Sequence, residues 1–108
     1  MRSIFLAVVL MVSAAGVSGQ VEDNAVWIDV RTPEEFAAGH VEGATRIPWD
    51  GIEKGVAQLE LAKDTPVYLY CGAGGRAGKA KERLDMMGFT AVTNAGGLED
   101  ARKLAQPQ

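Results

Sequence analysis

The residue best suited to chemistry in this sequence is its single cysteine, Cys71. Before it stands an apolar run, Val67-Tyr68-Leu69-Tyr70. After it comes Gly72-Ala73-Gly74-Gly75-Arg76, and a helical pattern begins at Ala77. Three glycines in five residues let successive backbone N–H groups turn toward one point, which makes an anion-binding nest. The start of the next helix adds free N–H groups and partial positive charge. Arg76 can add a full charge at the far end of the loop. A cysteine placed there favours the thiolate; reactive cysteines in such settings have pKa values of about 3.5–7.5, against about 8.5 when free. The chemistry is nucleophilic catalysis through a covalent intermediate. Cys71 is the expected nucleophile, and Gly72, Ala73, Gly74, Gly75, Arg76 and Ala77 are the expected binding residues.

The same nest suits the charge of a persulfide and of an anionic sulfur donor such as thiosulfate. A thiol that is already ionised needs no general base, and only one histidine is present, His40. It lies in Gly39-His40-Val41-Glu42-Gly43-Ala44, where a structural role is expected, the ring bonding backbone groups of its own loop. A buried, inert cysteine is the alternative for Cys71, and the glycine nest that follows argues against it. Two nucleotide motifs are mimicked and fail. Gly72-x-Gly74-x-x-Ala77 resembles a dinucleotide fingerprint, but Asn94 stands where the acidic residue belongs. Gly78-Lys79 resembles the end of a P-loop, but Ala73 and Ala80 replace its first glycine and its hydroxyl residue.

The elements that must position this loop alternate between strand and helix. Val26–Val30 reads as a buried strand. Thr32-Pro33-Glu34-Glu35 opens a short helix with a capping box and proline in the first turn, ended near Gly39. Ala44–Ile47 is a weaker strand, stopped by Pro48. Asp50-Gly51-Ile52-Glu53 repeats the capping pattern, with Ile52, Val56 and Leu59 at helical spacing. Val67–Tyr70 has the unbroken apolar character of a parallel strand buried on both faces. Ala77–Met87 is a helix with Ala77, Ala80, Leu84 and Met87 inward. Ala91–Thr93 is a fourth strand, Gly96-Gly97 a turn, and Leu98, Ala101 and Leu104 one face of a last helix. The pattern predicts an α/β domain, a small mostly parallel sheet flanked by helices. In such sheets ligands bind beyond the carboxyl ends of the strands, which is where Cys71 falls.

The chain has 108 residues and a formal net charge of −3, room for one domain. Met1-Arg2, the apolar run Ile4–Val12 and the small residues to Gly19 read as a secretory signal over residues 1–19, cleaved before Gln20, with the domain over residues 20–108. A membrane anchor is the alternative; the run is short of the ~20 residues that span a bilayer. The expected location is the periplasm, or outside the cell if the source is not Gram-negative. Without a basic block, no nucleic-acid partner is expected, and no membrane contact after cleavage. One cysteine and one histidine argue against a structural metal site. No cofactor is expected.

Four segments together resemble the rhodanese family, and within it the small periplasmic single-domain type. They are Trp27-Ile28-Asp29-Val30-Arg31-x-Pro33-Glu34; Gly39-His40-Val41-x-Gly43-Ala44 through Ile47-Pro48; Tyr68 through Gly74; and Gly88-Phe89-Thr90 with Asn94 through Leu98. The resemblance covers Val26 to about Asp100. It implies a rhodanese-like fold, a catalytic persulfide at Cys71 and an active-site loop from Cys71 through Arg76. In the family, Cys-x4-Arg loops go with sulfur transfer and Cys-x5-Arg loops with phosphatases of the same fold. Here Arg76 gives the first spacing, and Ala77 stands where a phosphatase has its arginine. The small periplasmic type has polar or charged residues where Gly72 and Gly75 stand, so a more flexible and less cationic loop is expected. Arg31 matches a residue expected to be structural, pairing with Glu34 or Glu35. Trp49 either walls the pocket or packs half-buried.

The expected activity is that of a thiosulfate sulfurtransferase. Sulfane sulfur passes from thiosulfate or a related donor to a thiophilic acceptor, cyanide in vitro and a thiol in vivo. The partners are thus a small anionic sulfur donor and a thiol acceptor, and the protein is expected to be a monomer. The alternatives are a sulfane-sulfur carrier or binding module without turnover, and a phosphatase-like enzyme, against which the loop length speaks.

Overall fold

The computed structural model describes residues 21–105; the signal segment proposed for residues 1–19 lies outside them. Four strands form one parallel sheet: β1 (Val26–Asp29), β2 (Thr45–Arg46), β3 (Val67–Cys71) and β4 (Val92–Gly97), in the spatial order β2-β1-β3-β4. The helices are α1 (Pro33–Ala37), α2 (Ile52–Leu59), α3 (Gly75–Met86) and α4 (Leu98–Ala105), with a 3-10 turn at Trp49–Gly51. This is the expected small α/β domain.

The central pair, β1 and β3, runs Val26 beside Val67 through Asp29 beside Tyr70. Side chains alternate between the faces of a strand, and two separate cores result. On one face Ile28, Val30, Val67, Leu69 and Cys71 pack under Ile52 and Val56 of α2 and Ala77, Ala80 and Leu84 of α3. On the other, Tyr70 packs with Val41, Ala95 and Ala101, and with Trp27, Leu98 and Leu104 around them. Val67, Leu69 and Tyr70 are fully buried, as a central parallel strand requires.

Local signals explain most of the boundaries. Thr32 caps α1: its Oγ1 accepts from the Glu35 N–H at 3.1 Å, and Glu35 Oε1 accepts from the Thr32 N–H at 3.0 Å. The second capping pattern fails. Asp50 lies inside the 3-10 turn, and neither that turn nor α2 has a side-chain cap. Leu59 ends α2 partly in solvent, 36% exposed, rather than inward. α3 begins two residues earlier than its apolar spacing predicts, because the glycine loop itself winds into the first turn. β4 runs through Gly96-Gly97 instead of turning there. A register shift between Leu69 and Cys71 carries the pairing on until Cys71 lies beside Gly97.

Candidate active site

Cys71 is the last residue of β3 and only 1% exposed. The chain then turns through Gly72, Ala73 and Gly74 into α3. Gly74 is the N-cap of α3, at φ 103°, in the left-handed region that glycine tolerates and side chains resist. It offers no side chain to satisfy the orphan N–H groups of the helix start. The Cys71 sulfur takes that role: Sγ accepts from the Gly74 N–H at 2.9 Å and from the Ala77 N–H at 3.4 Å. Burial alone would push the Cys71 thiol up. The amides of Ala77, Ala73, Gly74 and Arg76 favour the thiolate and outweigh it, so the thiol lies below its ordinary value.

The structure thus brings Cys71, Ala73, Gly74, Arg76 and Ala77 together around the sulfur. Gly72, Ala73 and Gly75 form the exposed rim of the loop. The Arg76 guanidinium is not free to face the nest. Its Nη1 and Nη2 donate to the two carboxylate oxygens of Glu35 at 2.9 and 3.1 Å. Arg76, then the Thr32 backbone N–H, draw Glu35 down to about 2. Glu35 therefore caps α1 and holds the loop arginine at once.

Two loop supports come from β4. Asn94 Nδ2 donates to the Gly74 carbonyl at 3.0 Å, while Asn94 Oδ1 accepts from the Gly96 N–H at 2.9 Å. Gly97 packs so closely against the loop that a Cβ there would lie 2.5 Å from the Gly72 carbonyl oxygen. Neither contact, nor the second role of Glu35, is visible in local spacing, since each joins residues 20 or more positions apart. The nearest sequence signal is that Asn94 directly follows the Ala91–Thr93 strand pattern.

Arg31 pairs with neither Glu34 nor Glu35. Its guanidinium grips Asp29, two residues back at the end of β1, with Nη2 to Oδ2 at 2.6 Å and Nε to Oδ1 at 2.9 Å, and Nη2 also reaches the Gly39 carbonyl at 2.7 Å. Asp29 is fully buried and Arg31 nearly so; Glu35 is committed to Arg76 instead. The role expected for Arg31 is thus structural, with a different partner. His40 has the structural role expected, with its partner in α1 rather than in its own loop: Nδ1 lies 2.8 Å from the Phe36 carbonyl oxygen and the ring stacks on Phe36. Trp49 packs against the first core, lies beneath Lys79 and Arg83, and walls a cavity of about 250 Å³ whose rim includes Arg76. The half-buried packing considered for it holds. Among the described residues, no cluster of three or more metal-ligand side chains occurs, and no helix is long and apolar enough to cross a membrane.

Comparison with known proteins agrees with this geometry. The sequence matches the family described as Rhodanese-like domain over residues 13–103. It is 47% identical over 74 residues to the thiosulfate sulfurtransferase PspE of Escherichia coli (strain K12), covering 68% of this chain and 71% of that one. It is 34% identical over 101 residues to a tRNA uridine(34) hydroxylase of Enterobacter sp. (strain 638), covering 88% of this chain but 29% of that longer protein. Among solved structures, a rhodanese with anions from E. coli superposes with a TM-score of 0.69 at 44% identity, covering 77% of this chain and 94% of that one. A rhodanese-like domain protein from Staphylococcus aureus gives 0.62 at 30% identity, covering 81% and 79%. The likeness runs from β1 into α4 and holds in three dimensions as well as in sequence, and so the chain belongs to the rhodanese family.

Proposed function

We propose that this protein is a sulfurtransferase that carries sulfane sulfur as a persulfide on Cys71. The observation that bears most weight is the pair of N–H groups, from Gly74 and Ala77, directed at Cys71 Sγ. Amides fixed in a glycine turn at a helix start hold a negative charge without reorganising, which is the requirement for stabilising both a thiolate and the terminal sulfur of a persulfide. The likeness to PspE, named a thiosulfate sulfurtransferase, supports thiosulfate as donor.

In the first half-reaction the Cys71 thiolate attacks the outer sulfur of thiosulfate. A new S–S bond forms to Sγ, and the old S–S bond breaks with its electron pair leaving on sulfite. In the second, a thiophilic acceptor attacks the outer sulfur of the persulfide, and the pair of the breaking bond returns to Cys71 Sγ. Cyanide leaves as thiocyanate; a thiolate leaves as a new persulfide. No proton has to be removed from an ionised cysteine, so the site needs no general base. Because Glu35 occupies the Arg76 guanidinium, the loop amides rather than a free cation hold the donor anion. Neither half-reaction calls for a cofactor, and the proposed protein acts as a monomer. The periplasmic setting rests on the N-terminal segment.

The test is the intact mass of the reduced protein after thiosulfate, with Cys71→Ser alongside. A gain of one sulfur on the wild type alone, removed by cyanide, is expected. No gain at any thiosulfate concentration would remove thiosulfate as donor and turn attention to a polysulfide-fed carrier.

A further inference from the structure

Beside the loop, at the carboxyl ends of β1 and β2, lies the cavity of about 250 Å³ walled by Trp49. Val30, Pro33 and Pro48 are its other apolar lining residues, and Arg31, Arg46 and Arg76 are its basic ones. Two of its lining residues neighbour the cysteine in the fold. Arg76 directly precedes Ala77, whose N–H reaches Cys71 Sγ, and Val30 shares the core of Cys71 and donates its N–H to the Tyr70 carbonyl.

The three arginines are not equivalent. Arg31 is spent on buried Asp29 and on the Gly39 carbonyl. Arg76 is spent on both oxygens of Glu35. Half-buried Arg46 donates only Nη1, to the Arg31 carbonyl at 3.0 Å, and its charge has no carboxylate partner among the described residues. That single bond orients the guanidinium and leaves the rest of the planar fork for a ligand. Asp50 is the remaining charged residue of the lining; it is exposed at the rim, where water screens it.

We propose that this cavity binds the acceptor: a small thiol bearing a carboxylate, held by Arg46 and laid against Trp49. Arg46 is then a specificity-determining residue for the second half-reaction. The inference rests on the persulfide reaction proposed above. The bound thiolate attacks the outer sulfur of the Cys71 persulfide, a bond forms between the two, and the electron pair of the broken S–S bond stays on Cys71 Sγ. The volume and the mixed wall suit a molecule of a few heavy atoms with one apolar and one anionic part.

The experiment uses 3-mercaptopropionate and its neutral counterpart 2-mercaptoethanol as acceptors for the persulfide form of the full protein. Arg46→Ala is expected to raise KM for 3-mercaptopropionate by about five- to tenfold, with kcat held. Its constants for 2-mercaptoethanol and its sulfur loading from thiosulfate stay at wild-type values. Arg46→Lys recovers part of the loss. Equal effects on both thiols, or none on either, would overturn the proposal. A second measurement does not depend on sulfur chemistry: Cys71→Ser is titrated with 3-mercaptopropionate and the tryptophan fluorescence followed, with Trp49→Phe to separate Trp49 from Trp27. A saturable change that Trp49→Phe and Arg46→Ala each abolish supports the site, even if the wild type takes up no sulfur; a flat titration overturns it. Failure of the persulfide itself registers separately, as no mass gain on the wild type.

Discussion

The carboxylate of Glu35, on the first turn of α1, holds the guanidinium of Arg76, at the start of α3, through two hydrogen bonds of 2.9 and 3.1 Å. The only full positive charge in the cysteine loop is thereby matched by a negative one, and the two helices are tied across the mouth of the site. The pair is about one-third exposed on each side, so its worth to stability is modest. Its effect on the loop's charge is not, because the guanidinium cannot face an incoming anion while both its ends are engaged.

Replacing the charge while keeping the cap tests this. Gln at the same position preserves the capping box, so Glu35→Gln is expected to fold normally and release Arg76 toward the nest. KM for thiosulfate should fall by about three- to tenfold, an ion-pair-sized effect, with a steeper dependence on ionic strength. A rise in KM would mean instead that Glu35 serves by holding Arg76 in place.

The same pair sets a pH dependence of stability. Glu35 is drawn from its ordinary value of 4.5 down to about 2 in the folded protein. A carboxylate with a depressed folded value stabilises the protein above its unfolded value, and that contribution is lost as pH falls through the folded one. Denaturant midpoints for wild type and Glu35→Gln should therefore differ at pH 6 by a constant amount that shrinks between about pH 4.5 and about pH 2. A difference that stays flat across that window would show that the pair contributes nothing.

The thiol itself is expected to titrate low. Alkylation of Cys71 by iodoacetamide, followed against pH, should give an apparent pKa below that of an ordinary cysteine thiol, because four loop amides outweigh burial. Asn94→Ala frees the Gly74 carbonyl and loosens the turn that aims those amides. Its apparent pKa should move up toward the ordinary value, at a stability cost of about 1 kcal/mol.

Gly97 is needed for clearance rather than for an unusual backbone angle. Gly97→Ala puts a methyl 2.5 Å from the Gly72 carbonyl oxygen, and two backbone segments must part. A destabilisation of about 1–3 kcal/mol is expected, with sulfur loading slowed further than stability alone explains, because the loop moves with Gly72. Gly75→Ala, where a Cβ meets nothing within 4 Å, is the control that should leave the loop in place.

The cysteine, its glycine loop and the strand and helix on either side of it could be read directly from residues 67–87, because every signal involved is local. Apolar continuity marks β3, glycine allows the turn, and i, i+3, i+4 spacing marks α3. The Thr32–Glu35 capping box and the stack of His40 on Phe36 are local in the same way. Readings based on local pattern failed where a neighbour distant in sequence competed. Arg31 had acidic residues nearby in the chain, yet Asp29 holds it, because residues i and i+2 lie on one face of an extended chain. Gly96-Gly97 reads as a turn, yet β3 supplies an edge to which the segment stays paired, with Gly96 at φ 85° within the register shift and Gly97 beside Cys71.

What the sequence determined alone was therefore the place of the cysteine and its glycine loop at the end of a buried strand, and the alternating α/β order. What only the tertiary structure decided was the charge state of the site's surroundings: which carboxylate takes Arg76, which amide steadies Gly74, and that Arg46 is left with spare donors beside Trp49. The physical reason is that a parallel sheet aligns the ends of strands far apart in the chain. Partners at those ends are chosen by reach and by competition for hydrogen bonds, and neither leaves a spacing in the sequence.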